Sequence, residues 1–395
     1  MSSYVFDLID REQRRQRDTI NLIASENIVS ENVLKAIGSC LTNKYSEGYP
    51  AHRETDFGKR GRYYGGCGIV DELEEYCCHK WRTVFQTDYH VNVQPHSGSQ
   101  ANMAAYFSML SPGDIILAMH MSAGGHLTHG APVNFSGELF DVVQYGVTPG
   151  GFLDYWFLEQ QAERWKPKLI VAGASAYSRV IDFQRIGEIA KRNDSLFMVD
   201  MSHIAGLVAA EQHPSPFGIA DIVTTTTHKT LRGARGGLIF CRPELAPRVD
   251  GAVFPRIQGG PLQNMIAGKA VTAEEACTPG FRLYIENVVA NSKLMAGTMK
   301  DLGFQVVTGG TDTHLFLVDF SNTHRELTGL EAQKLLESNG ITVNKNCVPR
   351  DVRTPHYTSG IRIGTAAETA KGKCGEDFII IAKRINDILS KFKTR

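Results

Sequence analysis

Apolar and polar positions along residues 91–242 follow a pattern that predicts strands separated by helices. Short apolar runs at Lys168–Gly173, Leu196–Val199 and Ile222–Thr227 are typical of buried strands, and the last is rich in β-branched residues. Between the first two, Phe183–Asn193 has the apolar spacing of an amphipathic helix. Because strands joined through helices form parallel βαβ units, the pattern predicts an α/β domain with a mainly parallel sheet.

Beyond residue 275 the pattern changes to a long helix followed by short strands. Phe281–Leu302 has nearly helical apolar spacing, and Thr328-x-x-Glu331 forms a capping box that predicts the start of a further helix. Short strands are predicted at 314–319, 341–343 and 360–363. The sequence therefore predicts three parts: an N-terminal helical arm (1–20), a large domain (21–275) and a smaller C-terminal α+β domain (276–395).

Composition narrows the class of protein. The 395 residues contain 42 Lys plus Arg and 42 Asp plus Glu, so there is no basic excess of the kind that nucleic-acid binders carry. No apolar run approaches the roughly 20 residues that span a bilayer, and the polar start lacks a signal-peptide core. The eight cysteines form no CxxC pair and are interpreted as reduced thiols that mostly fill the core. We expect a cytoplasmic protein without nucleic-acid or membrane partners.

Several polar residues follow the predicted strands, where ligands bind in parallel sheets: Ser175, Asp200, His203, His228 and Lys229. A partly desolvated lysine has a lowered pKa and is a competent nucleophile for an aldehyde. Lys229 is therefore a candidate nucleophile, and a surface lysine just beyond a strand is the alternative. A carboxylate at the depth of Asp200 needs a cationic partner, such as a protonated pyridine nitrogen, or serves as a helix cap.

A small-residue turn offers a candidate anion site. Ser97, Gly98 and Ser99 precede a predicted helix over Gln100–Leu110, and the free N–H groups at a helix start bind phosphate. An ordinary serine cap is the alternative. Neither a Walker A motif nor a GxGxxG turn at the start of a βαβ unit occurs.

Two further sites have competing interpretations. His126 and His129 lie in a glycine-rich stretch without HExxH and without a Cys or carboxylate nearby in the sequence, so stacking on an aromatic ring is favoured over a metal site. A loop histidine without a role is also possible. Arg362, in a predicted strand, either grips a carboxylate with two N–H groups or faces water from an edge strand.

Together these motifs resemble one family. The matching stretches are 22–27, 42–50, 63–67, 93–102, 124–137, 174–178, 199–206, 224–233, 254–261, 309–314, 342–346 and 359–365. Over nearly its whole length the chain resembles serine hydroxymethyltransferase, a fold-type I pyridoxal-phosphate enzyme family. The resemblance implies a large domain with a mainly parallel seven-stranded sheet flanked by helices, and a smaller C-terminal domain.

The resemblance also implies residue roles around pyridoxal 5'-phosphate. Lys229 is expected to hold the cofactor as a Schiff base, Asp200 to pair with the pyridine nitrogen, and His126 to stack on the ring. Ser175 and His203 are expected near the phenolic oxygen. The implied phosphate ligands are Ser97, Gly98, Ser99 and His228.

The substrate side follows from the same resemblance. Ser25 and Arg362 are expected to bind the carboxylate of L-serine or glycine, and Glu47 to handle protons beside tetrahydrofolate, the co-substrate. Asn346 and the segment around Met121, Gly125 and Leu127 are expected to face the pteridine. A homodimer, or a tetramer built from it, would share its sites, with Tyr45, Glu47, Tyr64, Gly259 and Gly260 coming from the partner subunit. The implied catalytic residues are Lys229, Glu47, Tyr64 and His228.

The implied reaction is reversible transfer of the serine hydroxymethyl group to tetrahydrofolate, giving glycine and 5,10-methylenetetrahydrofolate. The chain departs from the family by a polar insertion, Ala51–Arg62, and by Met121 and Ala123 where Leu and His are usual. These departures lie on the folate side and leave a folate-independent aldolase or transaldolase of β-hydroxy amino acids as an alternative. A non-catalytic binding relative, for instance of RNA, is disfavoured by the zero net charge and the intact Lys229.

Overall fold

A computed structural model describes residues 3–51 and 61–392 of the chain. The α-helices are α1 (Tyr4–Asp18), α2 (Glu31–Ile37), α3 (Gly68–Phe85), α4 (Gly98–Met109), α5 (Phe135–Leu139), α6 (Tyr155–Trp165), α7 (Phe183–Arg192), α8 (Ala205–Ala209), α9 (Ala246–Gly251), α10 (Gln263–Ala276), α11 (Pro279–Asp301), α12 (Gly329–Ser338), α13 (Ala366–Ala370) and α14 (Gly375–Leu389). Most of the insertion expected at Ala51–Arg62 lies outside the described residues.

The strands are β1 (Ile20–Asn21), β2 (His90–Asn92), β3 (Ile115–Met119), β4 (Asp141–Tyr145), β5 (Leu169–Ala172), β6 (Leu196–Asp200), β7 (Ile222–Thr226), β8 (Gly237–Cys241), β9 (Gln305–Val306), β10 (Leu315–Asp319), β11 (Ile341–Thr342), β12 (Asn344–Asn346) and β13 (Gly360–Gly364). The central sheet has seven strands in the order β2-β8-β7-β6-β5-β3-β4. The run from β7 to β4 is parallel, and β8 pairs antiparallel with both its neighbours. This confirms the predicted seven-stranded, mainly parallel sheet.

The central strands are buried along nearly their whole length because helices cover both faces of the sheet. Every residue of β5, β7 and β8 is buried. The crossover helix α7 covers one face of the sheet, and Phe183, Ile186 and Ile189 lie on its buried side. Covered on both sides, the sheet holds its strand ends rigidly, and these ends carry the candidate chemistry.

The C-terminal part is built on an antiparallel sheet in the order β12-β13-β10-β9. The short strand β1 pairs in parallel with β11, so the chain just after the N-terminal helix joins this part. Helix α11 connects the two cores: Phe281 and Ile285 pack in the core of the large sheet, whereas Met295 and Met299 pack in the C-terminal core. The boundaries at 20/21 and 275/276 stay a prediction.

The predicted helix at Gln100–Leu110 begins two residues earlier, at Gly98, because the Ser97 hydroxyl caps it by accepting the Gln100 N–H. The capping box at Thr328 and Glu331 is confirmed. Within residues 3–51 and 61–392 there is no helix of sufficient length and apolarity to cross a bilayer.

The cysteine prediction is wrong for half of the residues. Core positions hold Cys67, Cys77, Cys78 and Cys241, whereas Cys347 is half-buried and Cys40, Cys277 and Cys374 are exposed. All eight are free thiols. Exposure of a small apolar side chain costs little, so burial cannot be inferred from residue type alone.

Candidate functional site

A pocket of about 530 Å³ opens at the carboxyl ends of the central strands. It is lined by Ser25, Glu26, Ser97, Gly98, Ser99, Asn102, His126, His129, Ala174, Ser175, Asp200, Ser202, His203, Thr226, His228, Lys229, Arg235 and Arg362. The strand ends bring these residues together because β5, β6 and β7 are parallel neighbours that end at one edge. All the residues predicted for the cofactor ring and phosphate therefore meet in one place, together with Ser25 and Arg362.

Asp200, the last residue of β6, is a buried carboxylate held by four donors. Asn102 Nδ2 (2.9 Å) and His129 Nε2 (3.1 Å) donate to Oδ2, while the backbone N–H (3.0 Å) and hydroxyl (2.6 Å) of Ser202 donate to Oδ1. Burial alone would raise the pKa of Asp200, but these donors outweigh it and hold the pKa well below its usual range. The pocket thus contains a fixed negative charge that could pair with a cationic group of a ligand.

The hydrogen bonds of the two histidines fix their tautomers. His129 Nδ1 accepts the backbone N–H of His126 (3.3 Å), so its proton sits on Nε2, where it is donated to Asp200. His126 Nδ1 accepts the Thr128 N–H (3.2 Å), which leaves the proton on Nε2. Burial lowers the pKa of His126 to about 4, so the ring is neutral at physiological pH. A neutral, planar imidazole in the pocket is suited to stacking.

The fold also brings His126, His129 and Asp200 into a set whose possible ligand atoms lie within 4.8 Å of one another. The sequence argument against a metal, that no carboxylate completes the pair of histidines, is wrong in three dimensions because Asp200 arrives from another strand. Asp200, His129 and the Nδ1 atom of His126 already take part in the hydrogen bonds above, so the arrangement does not require an ion.

Lys229 lies just beyond β7, and its Nζ donates to Thr226 Oγ1 at 2.9 Å. Burial lowers the pKa of Lys229 to about 8, while Asp200 partly offsets this. At pH 7 the Lys229 amine is neutral, and therefore nucleophilic, in roughly a tenth of the molecules, a far larger fraction than for a free lysine. The alternative of an ordinary surface lysine is therefore wrong.

The anion turn (Ser97–Ser99) opens the 12-residue helix α4. A Cβ atom at Gly98 would lie 2.5 Å from Thr226 Cγ2, so only glycine lets the turn approach β7. His228 stands beside it, its Nδ1 buried and without a hydrogen-bond partner in the described part of the chain. Burial lowers the pKa of His228 to about 3. An unpartnered buried nitrogen next to free helix N–H groups is what an anionic ligand would complete.

Arg362 is 8% exposed and lies on β13, between β12 and β10. The alternative of an edge-strand arginine facing water is therefore wrong. Its Nε donates to Asn344 Oδ1 (3.0 Å), and its Nη1 donates to the Ser175 carbonyl oxygen (2.6 Å). Burial lowers the pKa of Arg362 to about 10, so it stays charged at neutral pH. Its remaining N–H groups make no hydrogen bond within residues 3–51 and 61–392 and could bind a carboxylate.

Ser175 and His203 occupy the side of the pocket nearest the C-terminal sheet. The Ser175 N–H donates to the Gly124 carbonyl oxygen at 2.7 Å. His203 stacks on His314, with ring centroids 5.5 Å apart, and burial lowers the pKa of both rings. Both histidines are therefore neutral.

The five residues expected from a partner subunit form a separate cluster that does not line this pocket. The rings of Tyr45 and Tyr64 lie 4.8 Å apart, and a Cβ atom at Gly260 would lie 3.2 Å from the Tyr45 ring. A Cβ atom at Gly259 would lie 3.0 Å from Glu47 Oε1. Tyr45 and Tyr64 are 54% and 44% exposed. The cluster is assembled, but none of its five residues lines the pocket of its own chain.

The folate-side residues are split between two elements. Met121 and Leu127 are largely exposed in the loop after β3, and Gly125 is packed so tightly that a Cβ atom would lie 2.0 Å from the Met119 carbonyl oxygen. Asn346 ends β12, and its Nδ2 donates to the Cys347 carbonyl oxygen at 2.6 Å. Cys347 shares a small cleft with residues 122–124, so the fold brings Asn346 beside that loop.

The sequence does not predict some residues of the pocket. Asn102 lies in the predicted helix without a predicted role, yet it joins Asp200 to Thr224, whose hydroxyl donates to Asn102 Oδ1 at 2.6 Å. Arg235 lines the pocket from the glycine-rich turn before β8. Its position beside glycines six residues after Lys229 is the one sequence signal that could have identified it.

A family model described as "Serine hydroxymethyltransferase" matches residues 1–385 of the 395-residue chain.

Proposed function

The chain belongs to the serine hydroxymethyltransferase family, which is a family of pyridoxal-phosphate-dependent enzymes, and we propose that it transfers the hydroxymethyl group of L-serine reversibly to tetrahydrofolate. The products would be glycine and 5,10-methylenetetrahydrofolate. One observation carries the proposal: a half-buried lysine of lowered pKa and a buried ionised aspartate share one pocket with an anion-binding turn and a buried arginine. The free thiols support a cytoplasmic location.

The pocket residues fit pyridoxal 5'-phosphate by three tests. The buried negative charge of Asp200 matches a protonated pyridine nitrogen. The anion turn and the unpartnered His228 Nδ1 match a phosphate. The amine of Lys229 matches an aldehyde. When bound, the cofactor supplies an electron sink for the bond that breaks at the amino-acid α-carbon.

The protein groups hold and orient the reactants around that sink. Asp200 would pair with the pyridine nitrogen and favour its protonated form, because the low pKa of Asp200 keeps its carboxylate charged. His126, neutral and fixed by its hydrogen bond with Thr128, would stack on the ring. Ser175 and His203 would lie near the phenolic oxygen. Lys229 would hold the cofactor through its amine.

The substrate carboxylate is bound by Arg362 and Ser25. Asn344 and the Ser175 carbonyl oxygen already take two N–H groups of Arg362 and thereby fix the plane of its guanidinium. Because the guanidinium is already held in place, its remaining N–H groups can bind the substrate carboxylate with little further loss of side-chain entropy. This orients the bond between Cα and the hydroxymethyl carbon.

The site is completed by a second subunit in a homodimer, alone or within a tetramer. The cluster of Tyr45, Glu47, Tyr64, Gly259 and Gly260 is partly exposed and outside the pocket of its own chain, which supports its use by a partner. In a two-fold dimer each subunit gives the same patch and receives the same patch. Glu47 and Tyr64 then act on the proton of the serine hydroxyl, at the folate side.

The tetrahydrofolate ring would lie between the loop of Met121, Gly125 and Leu127 and the end of β12 at Asn346. The cleft that joins residues 122–124 to Cys347 supports this placement. Exposed Met121 and Leu127 offer apolar contact, and Asn346 offers amide groups to a pteridine edge.

Turnover of L-serine by purified protein saturated with pyridoxal 5'-phosphate tests the proposal, with and without tetrahydrofolate. We expect glycine to form rapidly only when both serine and tetrahydrofolate are present. Failure to form glycine with saturating cofactor and both substrates would sink the proposal.

A folate-independent aldolase or transaldolase of β-hydroxy amino acids is the second candidate. The observation in its favour is that the insertion emerges beside Glu47: Gly48 and Arg62 form a bridge, and the Tyr63 N–H donates to the Glu47 carbonyl oxygen at 3.0 Å. This function predicts cleavage of threonine that is faster than turnover of serine and unaffected by folate. A non-catalytic relative predicts neither activity.

A further inference from the structure

Lys269 is a fully buried cation that the proposed reaction does not use. It lies on α10, is 2% exposed, and its Nζ donates to the carbonyl oxygens of Val93 (2.6 Å), Pro95 (2.9 Å) and Gly237 (3.0 Å). An ammonium group has three N–H donors, so all of its hydrogen bonds are made. The three acceptors are neutral carbonyl oxygens, so none of them forms an ion pair with the ammonium group.

No carboxylate forms an ion pair with Lys269 in the part of the chain that the structure describes. Glu74 favours the charge from nearby, but its own oxygens already bind the buried Arg62 and Gln94. Burial lowers the pKa of Lys269 to about 8, so the side chain is still mostly charged at pH 7. Burying a cation without a directly bonded anion is costly, so Lys269 is retained either for its charge or for the backbone segments that its three hydrogen bonds join.

The Lys269 ammonium group lies directly behind the anion turn. Pro95 precedes Ser97 by two residues, and Gly237 pairs with Thr226 across β7 and β8. Gly237 is also packed on the turn, since a Cβ atom there would lie 2.3 Å from the Ser97 carbonyl oxygen. Ser97 and Thr226 line the pocket, whereas Lys269 does not. One layer of backbone therefore separates the cation from the pocket.

We propose that Lys269 is a positioning residue and buried counter-charge for the anion turn, and that it favours a phosphorylated ligand over its unphosphorylated analogue. Its three hydrogen bonds hold the segment from Val93 to Pro95, just before Ser97, against Gly237 at the start of β8. Its charge acts through low-dielectric protein on any anion that binds the turn N–H groups. The inference rests on the proposed function insofar as the phosphate is that of pyridoxal 5'-phosphate.

A purely structural role makes a different prediction. If Lys269 only fastened backbone segments, its loss would loosen the pocket for every ligand alike. A charge role affects ligands according to their charge. We therefore use the ratio of two affinities of the apoprotein, that for pyridoxal 5'-phosphate divided by that for pyridoxal. Because these ligands differ in the phosphate, a change in the ratio indicates a charge role, and an unchanged ratio indicates a structural role.

The test is equilibrium titration of apoprotein with each ligand, for the wild type and Lys269→Gln. Glutamine keeps amide donors for the carbonyl oxygens and removes the charge. We expect affinity for pyridoxal 5'-phosphate to fall about 10-fold or more, with pyridoxal affinity nearly unchanged. Lys168→Gln, the same change at a 49%-exposed lysine paired with Asp114, is the matched control and should leave the ratio unaltered.

Gly236→Ala provides a second perturbation that keeps the charge. A Cβ atom at Gly236 would lie 2.2 Å from Lys269 Cε and 2.8 Å from Nζ, so the ammonium group must move. We expect the affinity ratio to fall here too, by less than in the glutamine variant. This variant is measured alone if Lys269→Gln does not fold.

An unchanged ratio overturns the inference, whether both affinities stay at wild-type values or both fall together. Failure of the proposed function has a different signature. In that case the wild-type apoprotein itself would bind neither pyridoxal 5'-phosphate nor pyridoxal.

Discussion

Replacing Asp200 by asparagine is the perturbation whose consequences the structure defines most fully. Asparagine has nearly the same shape, so no cavity forms, but one carboxylate oxygen becomes an NH₂ group. The oxygen of the amide can still serve the two Ser202 donors at Oδ1. In the wild type, Asn102 Nδ2 and His129 Nε2 donate to Oδ2. In the variant these two donors would face the NH₂ group, which is itself a donor.

Neither of those donors can adapt freely. Asn102 is held by Thr224, whose hydroxyl donates to its Oδ1. His129 could move its proton to Nδ1, but that nitrogen accepts the His126 N–H, so a donor would then face a donor there. Two hydrogen bonds to a charged group are lost, each of about 1.5–3 kcal/mol. Relief from burying a charge offsets part of this, and we expect the apoprotein to lose about 2 kcal/mol.

The effect on the cofactor is larger because the charge itself is lost. Removing one partner of a buried ion pair costs about 3–5 kcal/mol, so pyridoxal 5'-phosphate should bind at least about 100-fold more weakly. Urea unfolding of the apoprotein measures the first quantity and equilibrium dialysis the second. Asp154→Asn is the matched control, because Asp154 caps α6 and asparagine caps equally well. Cofactor affinity within a few-fold of wild type in D200N would refute the reasoning.

Three further predictions concern the substrate, the partner subunit and pH. Arg362→Lys cannot keep both bonds of the guanidinium, so the KM for serine should rise about 100-fold while cofactor affinity changes little; an equal loss of both would argue against a substrate role. Mixing inactive Glu47→Gln and Lys229→Ala proteins should restore about a quarter of the wild-type rate through hybrid dimers, and no recovery would place Glu47 in its own chain's site. Because the folded pKa of Asp200 is depressed, its stabilisation is present above pH ~4 and lost as pH falls further, so the stability of D200N should fall less than that of wild type between pH 5 and pH 3 in denaturant titrations.

The sequence predicted the strand-end residues well because their placement follows from local pattern. The β-branched run predicts where β7 ends and places Lys229 just beyond that end. The apolar run of β6 likewise places Asp200 at the end of its strand. Parallel neighbours then bring the two residues together without any knowledge of side-chain contacts. The resemblance to a family assigned their roles.

What sequence alone could not predict depends on contacts between distant segments. The bonds of Asp200 with Asn102 and His129 join three separate elements. Arg362 could have faced water until the position of β13 inside its sheet was known. Lys269 belongs to an unremarkable helical stretch, and only the fold shows three carbonyl oxygens around its ammonium group.

The most direct test of the account identifies the amine that holds the cofactor. Protein mixed with pyridoxal 5'-phosphate is reduced with borohydride, which fixes the cofactor to that amine, and is then digested and analysed by mass spectrometry. Lys229 and Lys269 both have a pKa lowered to about 8, but of these two residues only Lys229 lines the pocket. We predict the label on the peptide containing Lys229; a label on Lys269 or any other lysine, or no label, would contradict the proposed role of Lys229.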